Sequence, residues 1–115
     1  MVEYMSEKEL SSLLKAVSDG TRRSLLTLLC QQGKTRVTDL AGVYDLSLNA
    51  VSKHIKVLEK AGLVKRETIG RTHWITADIA QTAYIEDWFR SLKSIWALRL
   101  DSLNKLIKEG ENDDE

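Results

Sequence analysis

Apolar residues recur at helical spacing in the first third of the chain and predict two helices there. The first stripe follows the i, i+3, i+4, i+7 pattern of an amphipathic helix and consists of Leu10, Leu13, Leu14 and Val17. Ser6 and Glu9 form a capping box, which predicts that this helix begins at Ser6. Asp19 is a favourable N-cap for a second, leucine-rich helix, and Gly33 ends that helix.

Two more helices are predicted in the middle of the chain, with a tight turn between them. The third is a short helix from residue 35 or 36 to about residue 44. The fourth spans residues 47–61, because Ser47 is a good N-cap and Gly62 stops the helix. A short helix, a turn and a second helix form a helix-turn-helix pattern.

The segment after the fourth helix changes from helical to strand patterning. Residues 63–69 and 72–77 are rich in β-branched and aromatic side chains, with Gly70 and Arg71 between them. This composition predicts a β-hairpin. A helix-turn-helix followed directly by a hairpin is a winged helix, so the predicted fold class is mainly α with a small β-hairpin (α+β).

A long helix is predicted from between Asp78 and Thr82 to about Glu109. Its apolar seam consists of Ile85, Phe89, Leu92, Trp96, Leu100, Leu103 and Ile107, widened by Trp88, Ile95 and Leu106. A single 115-residue domain cannot bury such a long stripe by itself, so we expect the helix to pack against a second copy of the chain.

The two terminal helices therefore supply the predicted homodimer interface. Its predicted residues are Leu10, Leu14, Ile85, Trp88, Phe89, Leu92, Trp96 and Leu103. The length fits one compact domain, which we assign to residues 1–110, followed by an acidic tail at 111–115.

The charge is uneven along the chain, although 17 basic and 17 acidic residues give a net charge of zero. Residues 34–73 carry eight basic and four acidic side chains, and residues 74–115 carry five basic and nine acidic ones. The zero therefore hides a basic middle and an acidic end. A local basic excess is the electrostatic feature expected of a nucleic-acid-binding surface.

The fourth helix carries this basic excess on one face. Val51, Ile55, Leu58 and Leu48 are predicted to face inward, while the outer face is polar, basic and free of carboxylates. Asn and Lys side chains on such a face can bind base edges and phosphates in the major groove of DNA. An Arg at a hairpin tip can enter the minor groove or bind phosphate. The predicted DNA contacts are Ser47, Asn49, Ser52, Lys53, Lys56 and Arg71. The alternative is an ordinary solvated basic face and turn.

Other classes of protein are disfavoured by the composition. No stretch of eighteen or more apolar residues predicts a membrane span, and the acidic start at Glu3 does not predict a signal peptide. The single cysteine, Cys30, fits a cytosolic protein and is expected to be a buried, small apolar residue. The chain has two His residues, no Gly-rich phosphate loop and no paired-carboxylate motif, so no enzyme is predicted.

Two segments resemble the ArsR/SmtB-type bacterial regulators. Residues 17–26, VSDGTRRSLL, are similar to the opening helix junction of that family. Residues 46–64, LSLNAVSKHIKVLEKAGLV, resemble its recognition helix almost throughout, and Gly70 and Arg71 resemble its wing. The resemblance covers roughly residues 8–108. It implies a homodimeric winged-helix repressor that binds a pseudo-palindromic operator in double-stranded DNA and is usually released by an inducer.

The chain departs from the metal-sensing members of that family. Those members carry Cys-x-Cys in the third helix, where this sequence has Arg36 and Thr38. Other members use Asp and His ligands on the last helix, which contains no His here; the two His residues are His54 and His73. We therefore predict no metal site and no cofactor. The sequence identifies neither an inducer nor an operator.

Two alternatives to a simple repressor stay open on the sequence. One is a redox- or small-ligand-responsive regulator that uses Cys30 or a cavity beside the last helix. The other is a winged-helix module for protein–protein contact, in which the basic face would be incidental.

Overall fold

The computed structural model describes the backbone of residues 2–113 and the side chains of residues 7–110. Its elements, in chain order, are α1 (Val2–Ala16), α2 (Gly20–Gln32), β1 (Thr35–Arg36), α3 (Val37–Tyr44), α4 (Leu48–Lys60), β2 (Val64–Ile69), β3 (Thr72–Ala77), a 3-10 turn (Ala80–Thr82) and α5 (Ala83–Asp113). A helix-rich chain with a small antiparallel sheet confirms the predicted winged-helix fold class.

The predicted N-caps of α2 and α4 are confirmed. The Asp19 carboxylate accepts a hydrogen bond from the backbone N–H of Arg22 at 3.1 Å. The Ser47 hydroxyl accepts one from the backbone N–H of Ala50, also at 3.1 Å. These bonds satisfy N–H groups that have no partner inside their own helix, and so they define where α2 and α4 begin.

The predicted ends of the two terminal helices are wrong. α1 begins at Val2 rather than at Ser6, whose side chain lies outside the described residues. No Gly or Pro precedes Ser6 to stop the helix upstream. α5 continues past Glu109 to Asp113, because Gly110 keeps a helical backbone instead of the positive φ with which glycine usually ends a helix.

A third strand replaces the predicted start of the third helix. Thr35 and Arg36 form β1, which pairs antiparallel with β3, Thr35 opposite Ile75 and Arg36 opposite Trp74. β3 also pairs antiparallel with β2, so the sheet order is β1-β3-β2. The extended backbone of Arg36 then leads into α3, which begins at Val37.

The chain divides into two compact units, Met1–Ile85 and Glu86–Glu115. The core of the first unit is entirely apolar, and its largest fully buried side chains are Leu13, Leu25, Leu29, Leu40, Val51, Ile55, Leu58, Leu63 and Ile75. The inner face predicted for α4 is thus confirmed at Val51, Ile55 and Leu58. It is wrong at Leu48, which is 51% exposed because it occupies the first turn of α4, beyond the edge of this core.

The second unit consists of most of α5 and exposes a long apolar surface. Its exposed large apolar side chains are Trp88, Phe89, Leu92, Ile95, Trp96, Leu98, Leu100, Leu103, Leu106 and Ile107. None of the described helices is both long enough and apolar enough to cross a membrane.

Candidate nucleic-acid interface

The outer face of α4 is polar and exposed, as predicted. Asn49, Lys53, Lys56 and Lys60 are all exposed, and Ser52 is partly buried on the flank. The opposite face of α4 is held in the core by Val51, Ile55 and Leu58. Since the buried face fixes the rotation of the helix, the same three side chains keep the basic face directed away from the core.

Four of the eight basic side chains of residues 34–73 form ion pairs within the fold. The pairs are Lys34 with Glu67, Arg36 with Asp39 at 2.9 Å, Lys65 with Asp78 at 3.3 Å, and Arg66 with Glu59 at 3.0 Å. The hydrogen bond and charge of Asp39 raise the pKa of Arg36. The pKa of Asp78 is lowered, first by a hydrogen bond from the backbone N–H of Ala80 and then by Lys65. The charge of these four basic groups is thus balanced locally.

The other four basic side chains of that segment are Lys53, Lys56, Lys60 and Arg71. Within residues 7–110, none of them forms an ion pair. Three lie on the outer face of α4, and Arg71 lies in the turn of the β2–β3 hairpin. The paired and the unpaired basic residues of this segment therefore lie in different parts of the fold. The unpaired cations of residues 34–73 lie on one helix face and one hairpin tip, which we call the basic surface (Lys53, Lys56, Lys60 and Arg71).

A groove of about 190 Å³ joins α4 to the hairpin. It is lined by Val37, Thr38, Leu48, Ser52, Arg66, Arg71, Thr72 and His73. Two of the predicted DNA contacts, Ser52 and Arg71, thus line the same groove. The hairpin turn beside it depends on Gly70, whose φ of 63° is one that residues with a Cβ rarely adopt.

Four polar residues of this groove are not among the DNA contacts predicted from the sequence. They are Thr38, Arg66, Thr72 and His73. They come from three separate elements, so no spacing along the chain indicates that they lie together. The hydroxyl groups of Thr38 and Thr72 and the ring of His73 suit phosphate or base edges, whereas Arg66 is already paired with Glu59. The one available signal was the position of Thr72 and His73 directly after Arg71, at the start of the second hairpin strand.

The position of α4 is fixed from behind by a polar junction. Arg22 donates hydrogen bonds to the backbone carbonyls of Ala16 at 2.7 Å and Lys15 at 3.0 Å, at the end of α1. Its Nη1 lies 3.4 Å from Nδ1 of His54 on α4. The same His54 nitrogen is 3.9 Å from the carboxylate of Asp19. His54 is therefore partly buried and links α4 to the α1–α2 junction.

Cys30 is exposed, so the expectation of a buried thiol is wrong. α2 buries Leu25 and Leu29. The next residue along a helix points roughly 100° away from its neighbour, which carries Cys30 out of the core.

The described residues contain no group of three or more His, Cys, Asp or Glu side chains arranged to hold a metal ion. Where metal sensors of the resembled family have cysteines, Arg36 is paired with Asp39 and Thr38 lines the groove.

The residues predicted for dimerisation fall into two groups. Trp88, Phe89, Leu92, Trp96 and Leu103 are exposed on α5, where the rings of Trp88 and Phe89 lie 5.0 Å apart. The remaining three, Leu10, Leu14 and Ile85, are partly buried within the first unit, and Ile85 packs against its core.

Comparison with known proteins gives matches in sequence. The family model for "Bacterial regulatory protein, arsR family" matches residues 19–66. This segment contains α2, β1, α3 and α4 in full. The arsenical resistance operon repressor of Staphylococcus aureus is 32% identical over 107 residues, which make up 93% of this chain and 99% of that protein.

Solved structures give the same assignment of the fold. An ArsR-like transcriptional regulator from Rhodococcus sp. RHA1 superimposes with a TM-score of 0.80 at 27% identity, covering 89% of this chain and 93% of that one. A homodimeric winged helix-turn-helix DNA-binding domain from Mycobacterium bovis has a TM-score of 0.64 at 19% identity, covering 81% and 87% respectively. At that identity the second match shows the fold alone.

Proposed function

The chain belongs to the ArsR family of bacterial regulatory proteins, and we propose that it is a homodimeric repressor that reads a pseudo-palindromic operator. Its family and fold are those of transcriptional regulators rather than enzymes. Repression is supported by the similarity to the Staphylococcus aureus protein, which is described as a repressor. In the proposed mechanism α4 enters the major groove, and the β2–β3 hairpin lies against the flanking backbone.

The observation that carries this proposal is the sorting of the basic residues. Lys34, Arg36, Lys65 and Arg66 are each paired with a carboxylate, whereas the basic surface has no ion pair among the described side chains. A cation that is already paired in the fold must give up that pairing to bind phosphate, whereas an unpaired one binds phosphate and releases the counterions condensed on DNA without that loss. Within residues 34–73, the unpaired basic side chains thus lie on the helix and the hairpin that a winged helix uses to contact DNA.

The apolar surface of α5 supports the homodimer. Exposed apolar patches of this extent mark protein–protein contacts, and a two-fold axis would place the same surface of each chain against the other. A dimer also presents two copies of α4, as a palindromic operator requires. The Mycobacterium bovis domain of the same fold is described as homodimeric, which supports this arrangement.

Neither metal nor redox control is proposed, because the described residues offer no metal-ligand cluster and Cys30 is a lone cysteine. We propose a cytosolic location, since a regulator of this family acts where the DNA is.

The salt dependence of DNA binding tests this proposal. Wild-type protein is first used to select a duplex from a random-sequence pool, and affinity for that duplex is then measured from low to moderate salt. We expect the double variant Lys53→Ala/Lys56→Ala to bind more weakly and to have a salt slope smaller by about two to four, because a dimer loses up to four phosphate contacts.

A matched double variant provides the control. Lys34→Ala/Lys65→Ala removes the same charge from the same segment, but both lysines are ion-paired in the fold. We expect its salt slope to stay close to that of the wild type. Equal slopes for the Lys53/Lys56 variant and the wild type, or equal losses in both double variants, would overturn the assignment of α4.

A further inference from the structure

Leu48 is an apolar residue whose side chain is exposed to solvent, although burying apolar surface is favourable. It is the first residue of α4 and is 51% exposed, while Val51, Ile55 and Leu58 of the same helix are fully buried. In α4, which the structure describes in full, Leu48 is the one exposed large apolar residue.

Leu48 lies in the groove between α4 and the hairpin. Leu48 lines this groove together with Ser52 of α4 and Arg71 of the hairpin turn. The other apolar residue of the groove is Val37, which is itself buried, so the rest of the lining is polar or basic. A lone exposed leucine in such a groove is placed to contact whatever the polar side chains bind.

The major groove of DNA offers one apolar group at the edges of its bases. This group is the C5-methyl of thymine, which adenine, guanine and cytosine lack. The N-terminal residues of a recognition helix are those that contact base edges. We propose that Leu48 packs against a thymine methyl group and so selects a T·A pair at one position in each half of the operator. This inference rests on the proposed function, because it requires α4 to lie in the major groove.

Replacing thymine by deoxyuridine tests the contact, because it removes the methyl group and leaves base pairing intact. In the duplex selected by the wild type, each thymine is replaced in turn, and affinity is measured by fluorescence anisotropy. We expect one position in each half-site at which the replacement weakens wild-type binding by about fourfold, the factor expected for one buried methyl group.

Two variants assign the effect to Leu48. In Leu48→Ala the same replacement should change affinity by less than about 1.5-fold, since the partner of the methyl group is gone. Leu48→Met, which keeps an apolar side chain, should retain the sensitivity. Leu46→Ala is the matched control, because Leu46 is an exposed leucine that precedes α4 and does not line the groove. It should behave like the wild type.

The outcomes separate this inference from the proposed function. If the wild type binds the selected duplex but no thymine replacement weakens it, the methyl contact is wrong while the DNA-binding function stands. If Leu48→Ala keeps the wild-type sensitivity, the contact belongs to another residue and the inference is again overturned. If the wild type selects no duplex from the pool, the proposed function fails and takes the inference with it.

Discussion

Asp19 shows how one side chain acts in both the local and the tertiary structure. Its carboxylate caps α2 through the backbone N–H of Arg22, and it lies 3.9 Å from His54 of α4. The hydrogen bond from the Arg22 N–H is the main cause that lowers the pKa of Asp19 below its ordinary value of 3.8, with smaller contributions from the charges of Arg22 and His54. The folded chain therefore favours the charged form.

This lowered pKa predicts that the stability of the fold depends on pH in the acidic range. A depressed folded pKa contributes stability that is present above the unfolded pKa and is lost as the pH falls through the folded pKa. Asp19→Asn keeps an oxygen that can cap α2 but removes the titration. Between about pH 4 and pH 2, the free energy of unfolding of the wild type should fall more steeply than that of the variant. Urea denaturation across this pH range checks the difference, and parallel curves would contradict it.

At the residue scale, the helix N-caps were predicted correctly from the sequence, but the exposure of some side chains was not. Asp19 and Ser47 were identified because a cap depends on neighbours within three residues along the chain. Cys30 and Leu48 were placed wrongly, since their exposure depends on where the core ends, and that is decided by distant elements. The groove residues Thr38 and Thr72 were missed for the same reason.

Two turn glycines hold the elements of the wing in place. Gly62, between α4 and β2, has a φ of 78°, and Gly70, at the hairpin turn, has a φ of 63°. A Cβ at position 62 would lie 3.1 Å from Cγ of Gln81, whereas a Cβ at position 70 would meet nothing within 4 Å. Both positions need a left-handed backbone, but only Gly62 is also packed closely.

Paired alanine substitutions test this difference. Gly70→Ala should lower the free energy of unfolding by about 1 kcal/mol, the typical cost of forcing a residue with a Cβ into a left-handed backbone. Gly62→Ala should cost more, because its methyl group also displaces Gln81. Thermal and urea unfolding of both variants show which substitution causes the larger loss of stability. An equal loss, or a larger one for Gly70→Ala, would show that the contact with Gln81 does not matter.

Most element types were predictable from local signals in the sequence, and β1 is the exception. α2, α4 and both hairpin strands lie within a few residues of their predicted bounds, because caps, glycines and β-branched runs are local signals. β1 was missed because a two-residue strand has no alternation to detect. Its existence depends on pairing with Ile75 and Trp74, about forty positions further along the chain.

At the scale of the molecule, the zero net charge is the sum of a basic middle segment and an acidic end of the chain. The basic surface on α4 and the hairpin carries the unpaired basic side chains of residues 34–73, whereas α5 exposes a long row of apolar side chains. In the proposed dimer α5 pairs with its copy, and two basic surfaces are available to one duplex. The sequence indicated both surfaces; pairing between chains stays a prediction, because it involves a second copy.

Mass measurement of the protein–DNA complex by light scattering tests the proposed dimer on DNA most directly. The wild type should form a complex of two 13.0 kDa chains per selected duplex. Leu92→Asp, which places a charge in the apolar seam, should bind the duplex weakly or as a single chain. Leu98→Asp is the matched control, since Leu98 is also exposed but lies about 120° around α5 from Leu92, and it should retain two chains per duplex. A wild-type complex with one chain per duplex, or no complex at all, would contradict the proposal.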